Sequence, residues 1–388
     1  MKHLNIYKNE NFNYKSLTSY KNESFNMKPL ATYITEYIIN KKLDTPINSE
    51  DKYHPQTKEE LIENIKECFN NEDYNLNCIA TSKITDMSNL FGNIVNNKED
   101  FNFDVSKWDV YNVKDMSNMF ANYKNFDCDL SSWDVSNVED MSDIFANCKS
   151  FKGKGLENWD VSNVKYMNGM FFNCQNFDCD LSKWNVSNVE NISHMLYFCE
   201  NFNCDLSKWN VSNVTNMQNM FYNCTEFNGD LSGWDVSNVT NMMNMFYNCK
   251  MFKGKGFEKW PVHNVENMSS MFMNCINFNS DLSKWNVSKV TNMISMFFKC
   301  TNFNGDLSKW DVSNVEFMNY MFQYCENFNG DLSKWNVSKV KNMSGMFKKC
   351  ESFEGKGLEN WNINNVKSMN YMFDDCTSLK NKPSWYKE

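Results

Sequence analysis

The chain of 388 residues contains no arginine, so all 39 of its basic residues are lysines, and its formal net charge is -9. The forked guanidinium of arginine is the side chain best suited to bind phosphates and guanine edges. An acidic chain without arginine therefore lacks the basic surface that marks a nucleic-acid-binding protein. We expect no nucleic-acid partner.

Long apolar runs are also missing. The opening residues, MKHLNIYKNE, lack the continuous apolar core of a secretory signal peptide. No run approaches the roughly 18 consecutive apolar residues of a membrane span. These absences favour a cytoplasmic protein without a membrane span.

Residue groups typical of catalysis are absent too. The histidines, His3, His54, His194 and His263, stand apart, and none has a partner at the spacing of a metal site or catalytic triad. The GKG at 153–155 lacks the remainder of the phosphate-binding pattern G-x-x-x-x-G-K-[ST] and fits a turn that is one residue longer. We therefore predict a protein that is not an enzyme and has no cofactor and no bound metal.

Most of the sequence consists of one repeated motif. Successive tryptophans lie 24 to 26 residues apart, at positions 108, 133, 159, 184, 209, 234, 260, 285, 310, 335, 361 and 385. The unit reads W-[DN]-V-S-N-V-x-[ND]-M-x-x-M-F-x-x-C-x-x-F, and the gap of 26 occurs where the turn reads KGKG or EGKG. A fixed period in this range predicts stacked units, none of which buries its apolar face alone.

The second half of the unit has a helical pattern. Met141, Ile144, Phe145 and Cys148 fall at i, i+3, i+4 and i+7, which predicts one face of a short helix. Asp140 precedes this run, where its side chain can cap the first turn.

The first half of the unit has an alternating pattern. Trp209 and Val211 are predicted to point to one side of a short strand, and Lys208, Asn210 and Ser212 to the other. Each unit would then be one coil made of strand, bend, helix and turn.

These patterns predict an α/β solenoid of leucine-rich-repeat type, a stack of about 12 coils over residues 79–388. A parallel sheet would form one face and short helices the other. Residues 51–78 are predicted to form an N-terminal helical cap, because Thr57-Lys-Glu-Glu60 is a capping box before an apolar helical stripe. Residues 1–50 form a polar segment whose structure the sequence leaves open.

A column of cysteines, each 15 residues after a tryptophan, is predicted to be a row of small buried thiols: Cys148, Cys174, Cys199, Cys224, Cys249, Cys275, Cys300, Cys325, Cys350 and Cys376. Cys128, Cys179 and Cys204 occupy a turn position held elsewhere by glycine, so we expect them to be the reactive thiols. Zinc binding at the C-x4-C pairs and disulfides between neighbouring coils remain open alternatives.

A column of asparagines follows Val-Ser in most units: Asn112, Asn137, Asn163, Asn188, Asn213, Asn238, Asn264, Asn314 and Asn365. We predict that it forms a ladder that satisfies backbone groups at the bend. Lys289 and Lys339 replace it twice, which places it at the rim.

From about Tyr53 to the C-terminus the chain resembles the BspA-like leucine-rich-repeat surface proteins, found on bacterial cells and in some viruses. The resemblance lies in HPQTKEELIENI at 54–65, TSKITDMSNLF at 81–91, and the W-x-V-S-N-V and M-F-x-x-C phrases. It implies a solenoid used for adhesion or protein–protein contact, with no catalytic residues, and it implies display at the cell surface.

We therefore predict a non-enzymatic scaffold for protein–protein interaction or adhesion that binds a protein through the polar strand face. The predicted partner-binding residues are Lys183, Lys208, Asn210, Ser212, Lys284, Lys309, Asp311 and Lys334. The alternatives are a purely structural spacer and, less favoured, a metal-binding repeat protein.

Overall fold

The computed structural model describes residues 51–92, 94 and 102–387. The cap and the repeats belong to one compact unit, Asn48–Glu388. The predicted polar segment 1–50 lies outside the described residues.

Helix α1, Lys58–Asn70, is present where the capping box predicts it. Thr57 accepts a hydrogen bond from the Glu60 N–H at 3.2 Å, and the Glu60 carboxylate accepts one from the Gln56 N–H at 2.6 Å. Its apolar side, which includes Leu61 and Ile65, is buried in the core of the first coils. A short 3-10 helix, Leu76–Cys78, leads from the cap into the first coil.

The coils stack through a parallel ladder, but the ladder does not lie where the strands were predicted. It consists of isolated single-residue bridges in the column that precedes the first methionine of each unit, such as Asn216 to Asn241 and Asn241 to Asn267. Twelve residues from Asp86 to Ser368 are linked in this way, one per coil. The predicted stack of about 12 coils is thus present, while no continuous parallel sheet forms over residues 51–92, 94 and 102–387.

The short helices are also absent from the described coils, and a run of turns takes their place. In the coil of Met242, alternate N–H groups donate to the next coil: Met242 to Asn267 O at 3.0 Å and Asn244 to Ser269 O at 2.9 Å. Phe246 N–H continues this series to Met271 O at 2.9 Å, whereas Met245 N–H, between Asn244 and Phe246, donates back to Met242 O at 3.2 Å. We call residues 242–248 and their equivalents the ladder segment.

The backbone angles explain why the helix prediction is wrong. Asn244 and Asn248 have φ of 55° and 60°, and nearly every ladder segment has two such left-handed residues four positions apart. A left-handed residue ends a right-handed helix, and asparagine adopts this conformation more easily than most residues. Consecutive turns, each closed by a hydrogen bond over three residues, bury the two methionines, the phenylalanine and the cysteine at the same spacing as a helix does. The spacing of apolar residues alone therefore does not distinguish a run of turns from a helix.

The tryptophan half of the coil is made of tight turns and not of strands. Trp209 N–H donates to Leu206 O at 3.0 Å, and Val214 N–H donates to Val211 O at 2.9 Å. The predicted alternation of buried and exposed side chains is nevertheless present, because Trp209 and Val211 are buried while Lys208 is exposed.

Side chains, rather than backbone strands, connect the coils on this side. The Trp209 Nε1–H donates to Leu181 O of the preceding coil at 2.9 Å. The Asn213 amide donates to Ser187 O at 2.7 Å. All nine predicted asparagines make the equivalent bond, which confirms the asparagine ladder.

The ten cysteines of the column are buried, as predicted, and none of them forms a disulfide. Each thiol donates to a backbone carbonyl oxygen in the preceding coil, as Cys249 does to Phe221 O at 3.0 Å; the acceptor is a phenylalanine except for Cys224, which donates to Leu196 O. The turn residues Cys128, Cys179 and Cys204 are buried as well, at 8%, 9% and 8% exposure, which contradicts the expectation that they are accessible. Burial raises the pKa of each of these three thiols to about 12.

Native protein should therefore react slowly with a thiol reagent at every cysteine but one. Only Cys78 is partly exposed among the 15 cysteines, so it should be modified first. A thiolate is the reactive species, and a buried thiol with a raised pKa rarely forms it. Timed labelling followed by peptide mass mapping checks the order, and rapid labelling of Cys128, Cys179 or Cys204 would contradict it.

The KGKG and EGKG turns are one residue longer, as predicted, and each leads into a 3-10 helix: Leu156–Asn158, Phe257–Lys259 and Leu358–Asn360. The glycine before each helix is left-handed, with φ of 94° at Gly155 and 88° at Gly256. Among the residues that the structure describes, none of the helices has the length and apolarity that a membrane crossing requires.

Candidate functional site

Five of the predicted site residues, Lys183, Lys208, Lys284, Lys309 and Lys334, are exposed and precede a buried tryptophan in their coils. Lys107 and Lys259 occupy the same column and are also exposed, although the prediction left them out. We call these seven residues the lysine column. It is continuous over four successive coils, from Lys259 to Lys334, and it is interrupted before them by Ser132, Asn158 and Gly233.

The buried tryptophans fix the backbone on which the lysines stand. The Nε1–H of Trp184 donates to Leu156 O at 2.8 Å, and that of Trp285 to Phe257 O at 2.8 Å. The spacing of the lysines along the stack is therefore set by the packing of the coils.

The structure brings Lys183, Lys208 and Asn210 together around one shallow groove, which Ser182 and Trp184 also line. Ser212 lies next to this groove, half-buried, and its N–H donates to Asn210 Oδ1 at 3.1 Å. The remaining predicted residues, Lys284, Lys309, Asp311 and Lys334, occupy the same columns in later coils. Asn210 and Asp311 each use one oxygen to close a local turn, since Asp311 Oδ1 accepts from Ser313 N–H at 3.0 Å.

The charge of this surface is mixed. An aspartate stands three residues before most of the lysines, and the pKa of Asp281 lies below its ordinary value because the Ser283 hydroxyl and N–H donate to it and Lys284 lies near. Salt bridges in this region join Lys154 to Asp129 and Lys356 to Asp331. Over the part of the chain that the structure describes, the lysine column itself forms no salt bridge within 4.0 Å.

The ladder segments carry a feature that the sequence reasoning missed, a row of four half-buried aromatic rings. Phe172, Tyr197, Tyr222 and Tyr247 stack in successive coils, with centroids 4.6, 4.6 and 4.3 Å apart. Because the four rings stack in one row, the faces between neighbouring rings are covered. Partial burial raises the pKa of Tyr222 to about 12. The 25-residue spacing of aromatic residues was the available signal.

His194 lies beside this aromatic row. Its Nε2 is 2.8 Å from Asn219 Nδ2, and Asn219 Oδ1 is buried without a partner among the described residues. As placed, the Asn219 amide N–H donates to an unprotonated His194 Nε2. If the amide is turned by 180°, Asn219 Oδ1 accepts from a protonated Nε2, so each histidine tautomer can form a hydrogen bond with one orientation of the amide. Desolvation lowers the pKa of His194 below its usual value of 6.5.

This lowered pKa predicts a loss of stability in mild acid. The unfolded chain binds the His194 proton more readily than the folded chain, so stability falls as pH drops through about 6.5. His194→Asn, which copies Asn219 one coil later, should lack this part of the pH dependence. Urea unfolding of both proteins at about pH 7.5 and about pH 5.5 measures the difference. Equal losses in the two proteins would contradict the assignment.

The predicted absence of metal sites in the repeats remains a prediction. Among the described residues, one group of three potential ligands comes together, Cys68, Asp73 and Cys78, and it belongs to the cap and the entry to the first coil. Cys68 belongs to the apolar stripe predicted to follow the capping box, and the sequence pattern does not connect it with Asp73 and Cys78.

Comparisons with known proteins give one family. A family model described as "Mycoplasma protein of unknown function, DUF285" matches residues 59–155, 147–260, 244–356 and 307–387. The solved structure of an LRR protein from Leptospira interrogans is similar over 67% of this chain and 67% of that chain, with 11% identity and a TM-score of 0.22. No curated protein matches the sequence.

Proposed function

We propose that this chain, which belongs to the family described as "Mycoplasma protein of unknown function, DUF285", is a non-enzymatic scaffold whose repeats bind an extended protein partner. It is a repeat solenoid, and the partner would lie along the lysine column. Adhesion in the manner of the BspA-like surface proteins is the form of binding that the sequence resemblance suggests.

The observation that supports this proposal best is the unbroken run Lys259, Lys284, Lys309 and Lys334. Four exposed ammonium groups stand one coil apart on a backbone fixed by buried tryptophans, and no salt bridge to a described residue occupies them. Neighbouring like charges repel, so a row of lysines without salt bridges is not explained by ion pairing within the fold. A bound chain that carries carboxylates or carbonyl oxygens at a similar spacing would neutralise them.

The mixed charge of the surface favours a protein partner. Asp281 and its equivalents lie close to the lysines, and their carboxylates would repel a polyphosphate backbone. A polypeptide can pair with both the lysines and the aspartates through its own charged side chains, and its backbone can form hydrogen bonds with Asn210. Contacts of this kind are individually weak but add up when a long partner engages many coils at once.

Reversing Lys208, Lys284, Lys309 and Lys334 to glutamate in one variant should abolish most of the binding. Exposed ion pairs contribute roughly 0.2–1 kcal/mol each, so loss of four pairs lowers affinity by about tenfold or more. The measurement is quantitative capture from a lysate of the organism that encodes the chain, at fixed ionic strength, with mass spectrometry of the proteins retained.

The matched control reverses four lysines that lie in or beside the ladder segments, Lys250, Lys299, Lys349 and Lys367. This variant should retain the same proteins as the unmodified chain. Capture that survives in the first variant and fails in the control would indicate binding on the side of the ladder segments instead. Equal capture by all three proteins would contradict a charge-dependent binding face.

A further inference from the structure

The group Cys68, Asp73 and Cys78 lies outside the lysine column and the aromatic row. Cys68 is in the last turn of α1, Asp73 is in the loop that follows, and Cys78 ends the short 3-10 helix before the first coil. Their two sulfur atoms and a carboxylate oxygen all lie within 4.8 Å of one another. Three elements of the cap thus converge on one point.

Backbone hydrogen bonds hold this arrangement in place. Asp73 N–H donates to Cys68 O at 2.9 Å, which ties the loop to the end of α1. Asp73 Oδ1 accepts from Asn75 N–H at 3.1 Å, which orients the carboxylate. Lys52 N–H donates to Cys78 O at 2.8 Å. The potential ligands are therefore positioned by the fold before any ion binds.

The donor set has a clear chemical preference. Zinc binds cysteine sulfur at about 2.3 Å and carboxylate oxygen at about 2.0–2.2 Å, so ligand atoms around it lie roughly 3.5–4 Å apart. The group needs only a small contraction to reach this geometry. Two thiolates suit zinc and similar borderline ions, while calcium and magnesium require oxygen ligands.

The end of α1 adds a second reason for a cation at this point. Its last turn contains no basic residue, although the C-terminal carbonyl groups of a helix carry partial negative charge. A divalent cation held by Cys68 would lie beside these carbonyl groups.

We propose that Cys68, Asp73 and Cys78 bind one zinc-type divalent ion, with a water molecule as the fourth ligand. Binding replaces the two thiol protons, which pass to solvent, with two metal–sulfur bonds. The ion ties the end of α1 to the start of the first coil. Because a terminal cap closes the open end of a repeat stack, the ion would stabilise the repeats at their N-terminal end.

The test uses cobalt(II) as a spectroscopic substitute for zinc, added to reduced, chelator-treated full-length protein. We expect one cobalt per chain, a thiolate-to-cobalt charge-transfer band, and visible bands of tetrahedral cobalt that zinc displaces. Asp73→Asn should weaken binding by at least about tenfold, since loss even of partners outside the first shell costs 10–100-fold. Zinc should also protect Cys78 from the thiol reagent.

Cys78→Ser should lose the charge-transfer band while keeping the circular dichroism of the folded protein, because Cys78 is only half-buried. The control is Cys204→Ser, whose position is a serine in the equivalent column at Ser280, and it should bind cobalt like the unmodified chain. No band in the reduced protein, or the same band in Cys78→Ser, would overturn the proposal.

Discussion

Replacing Trp234 by alanine is expected to lower the free energy of unfolding by about 3–5 kcal/mol, the range for truncating a large buried aromatic side chain. Trp234 is 3% exposed and stacks between Trp209 and Trp260, with centroid distances of 6.3 and 5.8 Å. Its indole N–H donates to Leu206 O at 2.9 Å. Alanine would leave a cavity between three coils and a buried carbonyl oxygen without its donor.

A second substitution separates the two causes. Trp234→Phe retains an aromatic ring between Trp209 and Trp260 but loses the donor to Leu206 O. An unsatisfied buried acceptor costs roughly 1–3 kcal/mol, so this variant should be intermediate. Urea unfolding followed by circular dichroism measures both changes.

Trp385 is the control for position in the stack. It also donates to a leucine carbonyl, Leu358 O at 2.8 Å, and stacks on Trp361, but it is only partly buried. Trp385 buries less apolar surface than Trp234, so Trp385→Ala should cost clearly less than Trp234→Ala. Equal losses would contradict nearest-neighbour stacking as the main source of stability.

Burial in this protein could be predicted from the sequence, while backbone conformation could not. Met141, Ile144, Phe145 and Cys148 are all buried, as their spacing indicates. The spacing of three and four residues arises equally from a helix and from consecutive turns, and the turns prevail because asparagine, glycine and serine recur where φ is positive. Whether the segment forms a helix or turns also depends on hydrogen bonds between neighbouring coils, and these cannot be read from the sequence of one unit.

The candidate sites also differ in how far the sequence predicts them. The lysine column follows directly from a repeat of fixed length, because residues at one position of every coil must line up. The aromatic row obeys the same rule, yet its members vary between Phe172 and Tyr197, so the column is less evident. The group of Cys68, Asp73 and Cys78 depends on how a loop folds after α1, and no repeat constrains it.

The second large effect is expected at a turn, where Gly256→Ala should lower the free energy of unfolding by roughly 2–4 kcal/mol. Gly256 has φ of 88°, a conformation that costs any residue with a Cβ atom. An added Cβ would also lie 2.4 Å from Ser232 Cα in the preceding coil, so the backbone would have to move. This glycine belongs to the one-residue-longer KGKG turn, and it lies against the backbone of Ser232 in the preceding coil.

Gly305→Ser is the matched control. Gly305 does not need a left-handed backbone, and its added Cβ would meet mainly the Phe303 ring, at 2.9 Å, with the nearest backbone atom, Ser280 O, at 3.3 Å. Ser280 itself occupies the equivalent position one coil earlier, which indicates that the turn tolerates a serine. The Phe303 ring would have to shift slightly while the backbone stays in place, so the control should unfold within about 1 kcal/mol of the unmodified protein. If Gly256→Ala lowered the free energy of unfolding by as little as the control does, the backbone of the longer turn could move to admit a side chain. The contact with Ser232 would then not restrict this position to glycine.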